Sequence, residues 1–291
     1  MMETESRVGS IKPTFSLILA TRERTEELRR FLAALNESSY TRCECIVVDQ
    51  NSDDRLAPVL EEWADRVSIK HVRSSQGLSR ARNVGLSYAS GNVLAFPDDD
   101  CWYAPDLLQR VVLFFKQNPH YGMLSVGIRD LSGRVSGNRW IRSSCELATT
   151  NLFRTSVGIG LFVRRGREAN SMRFDESLGV GAGTPFASGE DTDYVFRLLE
   201  AGVRGRFDRG LTVFHPRRDM MSSHADEVRA YSYGCGMGRV IRKRSKLPLL
   251  PAFLAFDLLR ATFSLLCGRS DLASLCSSHG KGVLEGYLVS K

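Results

Sequence analysis

From residue 15 onward, short apolar runs alternate with amphipathic stretches. The runs at 15–20, 44–49, 67–72 and 92–97 have the length and the β-branched content of buried strands. Between them, residues 25–37 place Leu28, Phe31, Leu32 and Leu35 on one helical face, and 56–65, 78–89 and 105–117 repeat the helical period. Pro105 suits a first helical position, where its missing N–H costs nothing. Strands alternating with helices of this length predict an α/β domain whose mostly parallel sheet is covered on both faces. Residues 121–165 are less regular, with strands expected at 121–128 and 157–164. A helix at 190–201 and a last strand at 211–215 complete the pattern.

In open α/β sheets ligands bind at the carboxyl edge of the strands. Thr21 and Arg22 follow the first strand, Asp49 ends the second, and Asp98, Asp99 and Asp100 follow the fourth. The predicted topology sends all three groups to one edge, and that convergence marks the candidate site.

A chain of 291 residues can bury one full-sized core. The net charge of +7 is concentrated, with eight Lys/Arg against three Asp/Glu between Arg217 and Lys246. Nothing in that segment resembles a nucleic-acid recognition module, so no nucleic-acid partner is expected. The seven cysteines are odd in number and scattered, and Cys43 and Cys45 lack a second pair to complete a zinc site. They are expected to be reduced thiols of a cytoplasmic protein. Residues 1–13 carry charges of both signs and no apolar run, so no signal peptide is expected.

The sharpest chemical feature is Asp98-Asp99-Asp100. Adjacent carboxylates repel unless a cation or hydrogen bonds hold them. Hard divalent ions such as Mg²⁺ or Mn²⁺ take such oxygens and share them with substrate phosphates. A solvated acidic turn ahead of a helix is the plainer alternative. Gly189-Glu190-Asp191 precedes another helix, where a carboxylate can deprotonate an attacking hydroxyl. There the alternative is ordinary capping, with Ser188 and Asp191 in a capping-box spacing. Arg80, Arg82 and Asn83 are placed to meet phosphates or brace the Asp cluster, or else are solvated helix positions. His215, after the last strand, is a candidate metal or diphosphate ligand or a structural histidine.

Thr21-Arg22, Val47-Val48-Asp49-Gln50-Asn51-Ser52-Asp53-Asp54, Gln76-Gly77 with Ala81-Arg82-Asn83-x-Gly85, Asp98-Asp99-Asp100 and Gly189-Glu190-Asp191 occur in this order over residues 13–215. Together they resemble the family-2 glycosyltransferases. The resemblance implies a GT-A (Rossmann-like) fold and inverting, single-displacement sugar transfer from a nucleotide-sugar, by default a UDP-sugar. It implies that Thr21, Arg22 and Asp49 hold the nucleotide, with Asp54 nearby, and that Arg82, Asp98 and Asp99 contact the donor. Asp100 is then the first metal ligand for Mn²⁺ or Mg²⁺, with Asp98 and His215 as further ligands. Asp191 is the general base, and Glu190 stands beside it. The Q-x-x-R-W pattern of processive synthases is missing after Asp191, so one sugar per encounter is expected. The alternatives are a nucleotide-sugar binder without turnover and, with less support, a nucleotidyltransferase.

The texture changes near residue 218, which divides the chain into a catalytic domain (1–218) and a helical, basic-amphipathic segment (219–291). Residues 246–268 are apolar but are interrupted by Asp257 and Arg260, which argues against a spanning helix. With Arg239, Arg242, Lys243, Arg244 and Lys246 before it, the segment suits peripheral contact with an anionic membrane. At family level this implies a saccharide or lipid-linked acceptor in cell-surface polysaccharide biosynthesis, at the inner face of the cell membrane. Oligomeric state is not legible.

Overall fold

The computed structural model describes residues 14–136, 141–217, 223–244, 246 and 248–289. The residues read for a signal peptide, and the boundary drawn near 218, lie outside them. The chain runs β1 (Phe15–Thr21), α1 (Glu26–Asn36), β2 (Cys43–Asp49), α2 (Ala57–Trp63), β3 (Ile69–Arg73), α3 (Leu78–Tyr88), β4 (Val93–Ala95) and β5 (Trp102–Tyr103). It continues through α4 (Leu107–Gln117), β6 (Met123–Arg129), β7 (Cys145–Glu146), β8 (Leu161–Arg164), α5 (Arg167–Ser171), α6 (Glu190–Glu200) and β9 (Gly205–Phe214). Helices α7 (His224–Lys243), α8 (Leu249–Leu266) and α9 (Ser270–Leu288) close the fold.

One sheet, in the order β3-β2-β1-β4-β8-β6-β9-β5 with β7 on β9, runs through the molecule. The half formed by β3, β2, β1 and β4 is parallel. Strand β8 is antiparallel to both β4 and β6, and β6 pairs with β9 in parallel. Side chains alternate across the strands as a pleat requires. Leu17, Leu19, Cys45 and Val47 enter the core beneath α1, α2 and α4. Ile18, Ile46 and Val48 enter the core shared with α3, α6 and α7. Helix α3 lies close to β1 and β2 because Gly85 faces them, and a Cβ there would come within 2.4 Å of Ile18 Cγ2.

Strands β1, β2 and β4 were legible because each is mostly an apolar run, whereas β3 mixes Ile69 and Val72 with Lys70, His71 and Arg73. The two-residue strands β5 and β7 carry no periodicity at that length. The start of β9, Arg206 to Gly210, is polar and hides its strand character. All seven cysteines are free thiols. At the amino edge, away from the candidate site, the buried Glu44 accepts hydrogen bonds from Ser16 Oγ (2.5 Å), Ser90 N (2.7 Å) and Ser90 Oγ (2.8 Å) and pairs with Lys70 (2.7 Å). Burial works against the charge, but Lys70 and the two serines prevail and hold the carboxyl down to about 2. Glu44 is therefore a structural anion that ties β1, β2 and the turn before β4 together.

Helices α7 and α9 cross through glycines. A Cβ at Gly238 would lie 2.0 Å from Val283 O, and one at Gly286 would lie 2.0 Å from Cys235 O. No side chain relaxes away from a backbone oxygen at that distance. Gly286→Ala is expected to destabilise the protein by about 1–3 kcal/mol through overpacking, against the roughly 1 kcal/mol that alanine normally adds to a helix. Urea unfolding reads the sign directly, and a stabilised variant would show that the helices can move apart freely.

The basic run before α8 is partly tied into the fold. Lys243 is paired with Asp175 and lies 3.4 Å from Asp193, while Arg244 reaches Asp193 (2.9 Å) and Glu200 (3.2 Å). Arg239 and Arg242 donate to the carbonyls of Val289 (3.2 Å) and Tyr287 (3.0 Å). Of the five cations expected to meet a membrane, Lys243 and Arg244 are thus paired with carboxylates, while Arg239 and Arg242 bind neutral carbonyls and keep their charge.

Candidate active site

Strands β1, β2 and β4 end at one edge, and the predicted residues meet there. Asp98 continues the ladder beside Ala20. Thr21, buried at the end of β1, donates to Asp99 Oδ2 at 2.7 Å. Arg24 donates to Asp99 Oδ1 (2.8 Å) and Asp100 Oδ2 (2.6 Å). On the other side of Asp100, His215 Nε2 lies 3.2 Å from Oδ1.

These contacts divide the three carboxylates. Protein packed around Asp98 lifts its carboxyl to about 6 against the pull of Arg82, although the side chain keeps 38% exposure. Burial also raises Asp99. Burial would raise Asp100 as well, but His215 and Arg24 prevail and hold it down to about 2. His215 is raised in turn, since Asp100 outweighs the burial of the ring. Of the three, Asp100 is the one whose ionised form its neighbours His215 and Arg24 favour over its ordinary value.

Among the described residues no group of three or more His, Cys, Asp and Glu converges on one point. Asp100 and His215 still suit a hard divalent cation that takes one carboxylate, one imidazole and the oxygens of a substrate diphosphate. Asp98, expected as a further ligand, is instead directed at Arg82.

The centre of the site is Arg82, only 2% exposed on α3. It donates to Asp98 Oδ1 (3.3 Å) and Asp191 Oδ1 (2.7 Å) and lies 3.5 Å from Glu190. The ring of Phe174 sits 5.3 Å from its guanidinium carbon. Arg82 therefore joins the two acidic motifs, which are distant in sequence. Asp191 Oδ2 accepts from the backbone N–H of Gly158 at 2.7 Å, and a Cβ at Gly158 would strike that carboxylate at 2.5 Å. Burial, with Asp191 alongside, raises the Glu190 carboxyl.

The capping-box alternative for Asp191 is not realised. Helix α6 is entered through Gly189 at φ +92 with no side-chain cap, and Ser188 Oγ donates instead to Tyr233 O of α7. A Cβ at Gly189 would lie 2.8 Å from Val240 Cγ2, so α7 fixes the turn that presents Asp191.

At the end of β2, Asp49 is fully buried. It accepts from Asn51 N (2.8 Å) and faces His71 Nε2 (3.0 Å) and Arg73 Nε (3.5 Å). Arg73 also binds Asp54 at 2.5 Å, which places Asp54 at the rim of the same group. Arg22 lies with Gln50, Asn51, Arg55 and Gln76 around a cavity of about 160 Å³. Arg80 pairs with Glu176 (3.0 Å) and Asn83 holds the backbone of Phe174, so of the three α3 candidates Arg82 alone reaches the carboxylates. Arg24, His71, Arg73 and Gly158 went unnoticed in the sequence. Each is an ordinary loop or strand-end residue whose partner is far along the chain. Arg24 alone had a signal, as the next cation after Thr21-Arg22.

Comparison with known proteins places this geometry. The chain is 28% identical to the glycosyltransferase AglE of Haloferax volcanii over 72% of its own length and 69% of that protein. It is 29% identical to an Escherichia coli protein, the UDP-Glc:alpha-D-GlcNAc-diphosphoundecaprenol beta-1,3-glucosyltransferase WfgD, over 35% of this chain and 42% of that one. Three further curated relatives, all glycosyltransferases by name, are matched over only 30% to 37% of their own length. Among solved structures, the mannosyltransferase PcManGT of Pyrobaculum calidifontis, in complex with GDP-Man and Mn²⁺, superposes with a TM-score of 0.64 at 15% identity. That likeness covers 96% of this chain and 88% of PcManGT, and shows a shared fold. The family model "Glycosyl transferase family 2" matches residues 16–167, which carry Thr21, Asp49, Arg82 and the three aspartates. With that match over more than half its length and a GT-A fold around those residues, the chain belongs to glycosyl transferase family 2.

Proposed function

We propose that the protein moves one sugar, with inversion, from a nucleotide-sugar to an acceptor hydroxyl in polysaccharide biosynthesis. The observation that carries this reading is Arg82, which fastens Asp191 beside the Asp98–Asp100 turn, so that a proton acceptor and a diphosphate-binding edge share one site. The acceptor O–H attacks the anomeric carbon, its proton passes to the Asp191 carboxylate, and the bond to the diphosphate breaks with its electron pair leaving on the phosphate oxygen. Asp49, Asp54 and Arg22 hold the nucleoside end. Asp100 and His215 hold Mn²⁺ or Mg²⁺, which when bound offsets the charge of the departing diphosphate.

A uridine nucleotide is the first choice of donor, given WfgD, and a guanosine nucleotide the second, given PcManGT. The name of WfgD also supports a lipid-linked saccharide as acceptor. We place the protein at the inner face of the cell membrane, in peripheral contact with it, and keep the division into a catalytic part and an appended helical part.

Calorimetry with UDP, GDP and TDP, each with and without Mn²⁺, tests the metal assignment. Tight binding of one nucleotide only with metal is expected. Asp100→Ala is expected to weaken that binding by at least about tenfold in metal and to leave the metal-free signal unchanged. Equal binding with and without Mn²⁺ would remove Asp100 and His215 from the metal role.

A further inference from the structure

Helix α8 is apolar on its exposed side as well as on the side it packs against the protein. Its buried positions are Leu250, Asp257, Ala261 and Ser264, so the chain's inward face carries a carboxylate and a hydroxyl. Asp257 meets His279 of α9 at 2.7 Å. Its outward face carries Phe256, Leu258, Leu259, Phe263, Leu265 and Leu266, which are between 41% and 82% exposed. At 100° per residue these outward positions sweep about half the helix circumference. A water-facing helix has the opposite polarity, and an apolar surface of this extent calls for an occupant. Leu250, Phe253 and Leu254 also pack on the core, so α8 is apolar nearly all round, with its one carboxylate turned inward; that is the arrangement of a helix whose outer face meets lipid.

We infer that α8 lies in one leaflet of a bilayer, held there by insertion of its apolar half and not by the basic charge of the chain. This deepens the membrane contact proposed above and rests on that reading. Lipid suits the surface better than a second copy, because a partner helix covers a stripe of about 100°, whereas a fluid covers the whole exposed half. Two cations of the basic run are already committed within the fold, since Lys243 and Arg244 are paired with Asp175, Asp193 and Glu200, which leaves the apolar face as the larger source of attachment.

With 18 residues and a mean hydropathy of 1.6, α8 is long and apolar enough to cross a membrane by length and composition. Its packing argues for lying flat instead. Helix α9, which packs along it, carries Asp271, His279, Lys281 and Glu285 and is clamped to α7 through the glycine crossing. A spanning α8 would draw those charges into hydrocarbon.

The test is flotation of the full chain with pure phosphatidylcholine vesicles and with vesicles containing phosphatidylglycerol, at low and high salt. Equal flotation with both lipids, unaffected by salt, is expected. Leu259→Glu with Phe263→Glu is expected to reduce it by at least about tenfold. Binding restricted to anionic vesicles and released by salt would overturn the inference, as would a soluble chain that the same variant turns from dimer to monomer, or a monomer that never floats. If the variant does not fold, Leu259→Trp serves: a blue shift of its emission with phosphatidylcholine vesicles supports insertion, and unchanged emission overturns it. Nucleotide binding by calorimetry on the same samples separates the two readings. If it is retained while flotation fails, the membrane inference alone is lost.

Discussion

Asp191→Asn is expected to lower sugar transfer by roughly 10²–10⁴-fold, the usual contribution of a positioned general base, while donor binding persists. Asparagine keeps the size and can still accept from Arg82. Its amide nitrogen, however, would face the Gly158 N–H that now donates to Oδ2 at 2.7 Å. That clash of donors costs about 1–2 kcal/mol of stability, too little to unfold the chain. Steady-state rates with the donor identified by calorimetry, alongside binding of the same nucleotide, provide the readout. Glu190→Gln is the companion variant. Burial already favours the neutral form of that side chain, so its amide should transfer sugar far better than Asp191→Asn. If Asp191→Asn keeps its rate, the base lies elsewhere. If the unaltered protein binds donor and never turns over, the non-catalytic reading prevails.

Arg82→Met is expected to cost about 3–5 kcal/mol in urea unfolding, the usual penalty for removing one partner of a buried ionic cluster. The methionine fills the space beside Phe174 but leaves Asp98, Glu190 and Asp191 facing one another without a cation. Arg82→Lys should recover only part of the loss, because a point charge cannot reach Asp98 and Asp191 in two directions as the planar guanidinium does. Unchanged stability in Arg82→Met would mean that the guanidinium is not what holds the two acidic motifs together.

Much of the site was legible because the sheet is simple where it matters. Thr21, Asp49 and Asp98–Asp100 follow continuous apolar strands, so counting strands placed them on one edge before any contact was known. The Glu190-Asp191 pair was visible as a motif, yet its spacing from Ser188 fitted a cap equally well. Gly189 in the left-handed region and the turning of Ser188 toward Tyr233 decide against the cap.

Local pattern in the sequence determined the alternation of strands and helices, the acidic edge and the family, since period and motif depend on near neighbours. Pairing between distant residues was left to the tertiary structure. Whether Arg82 faced phosphate or carboxylate depended on how α3 and α6 pack against the sheet. That Lys243 and Arg244 meet Asp175, Asp193 and Glu200 across the fold is likewise invisible in the basic run itself. Helix α8 read as an apolar stretch interrupted by two charges, and only its contact with His279 shows that Asp257 points inward. Charge in a sequence is a sum. What it does depends on which opposite charge the fold brings within about 3–4 Å, where Coulomb attraction becomes decisive.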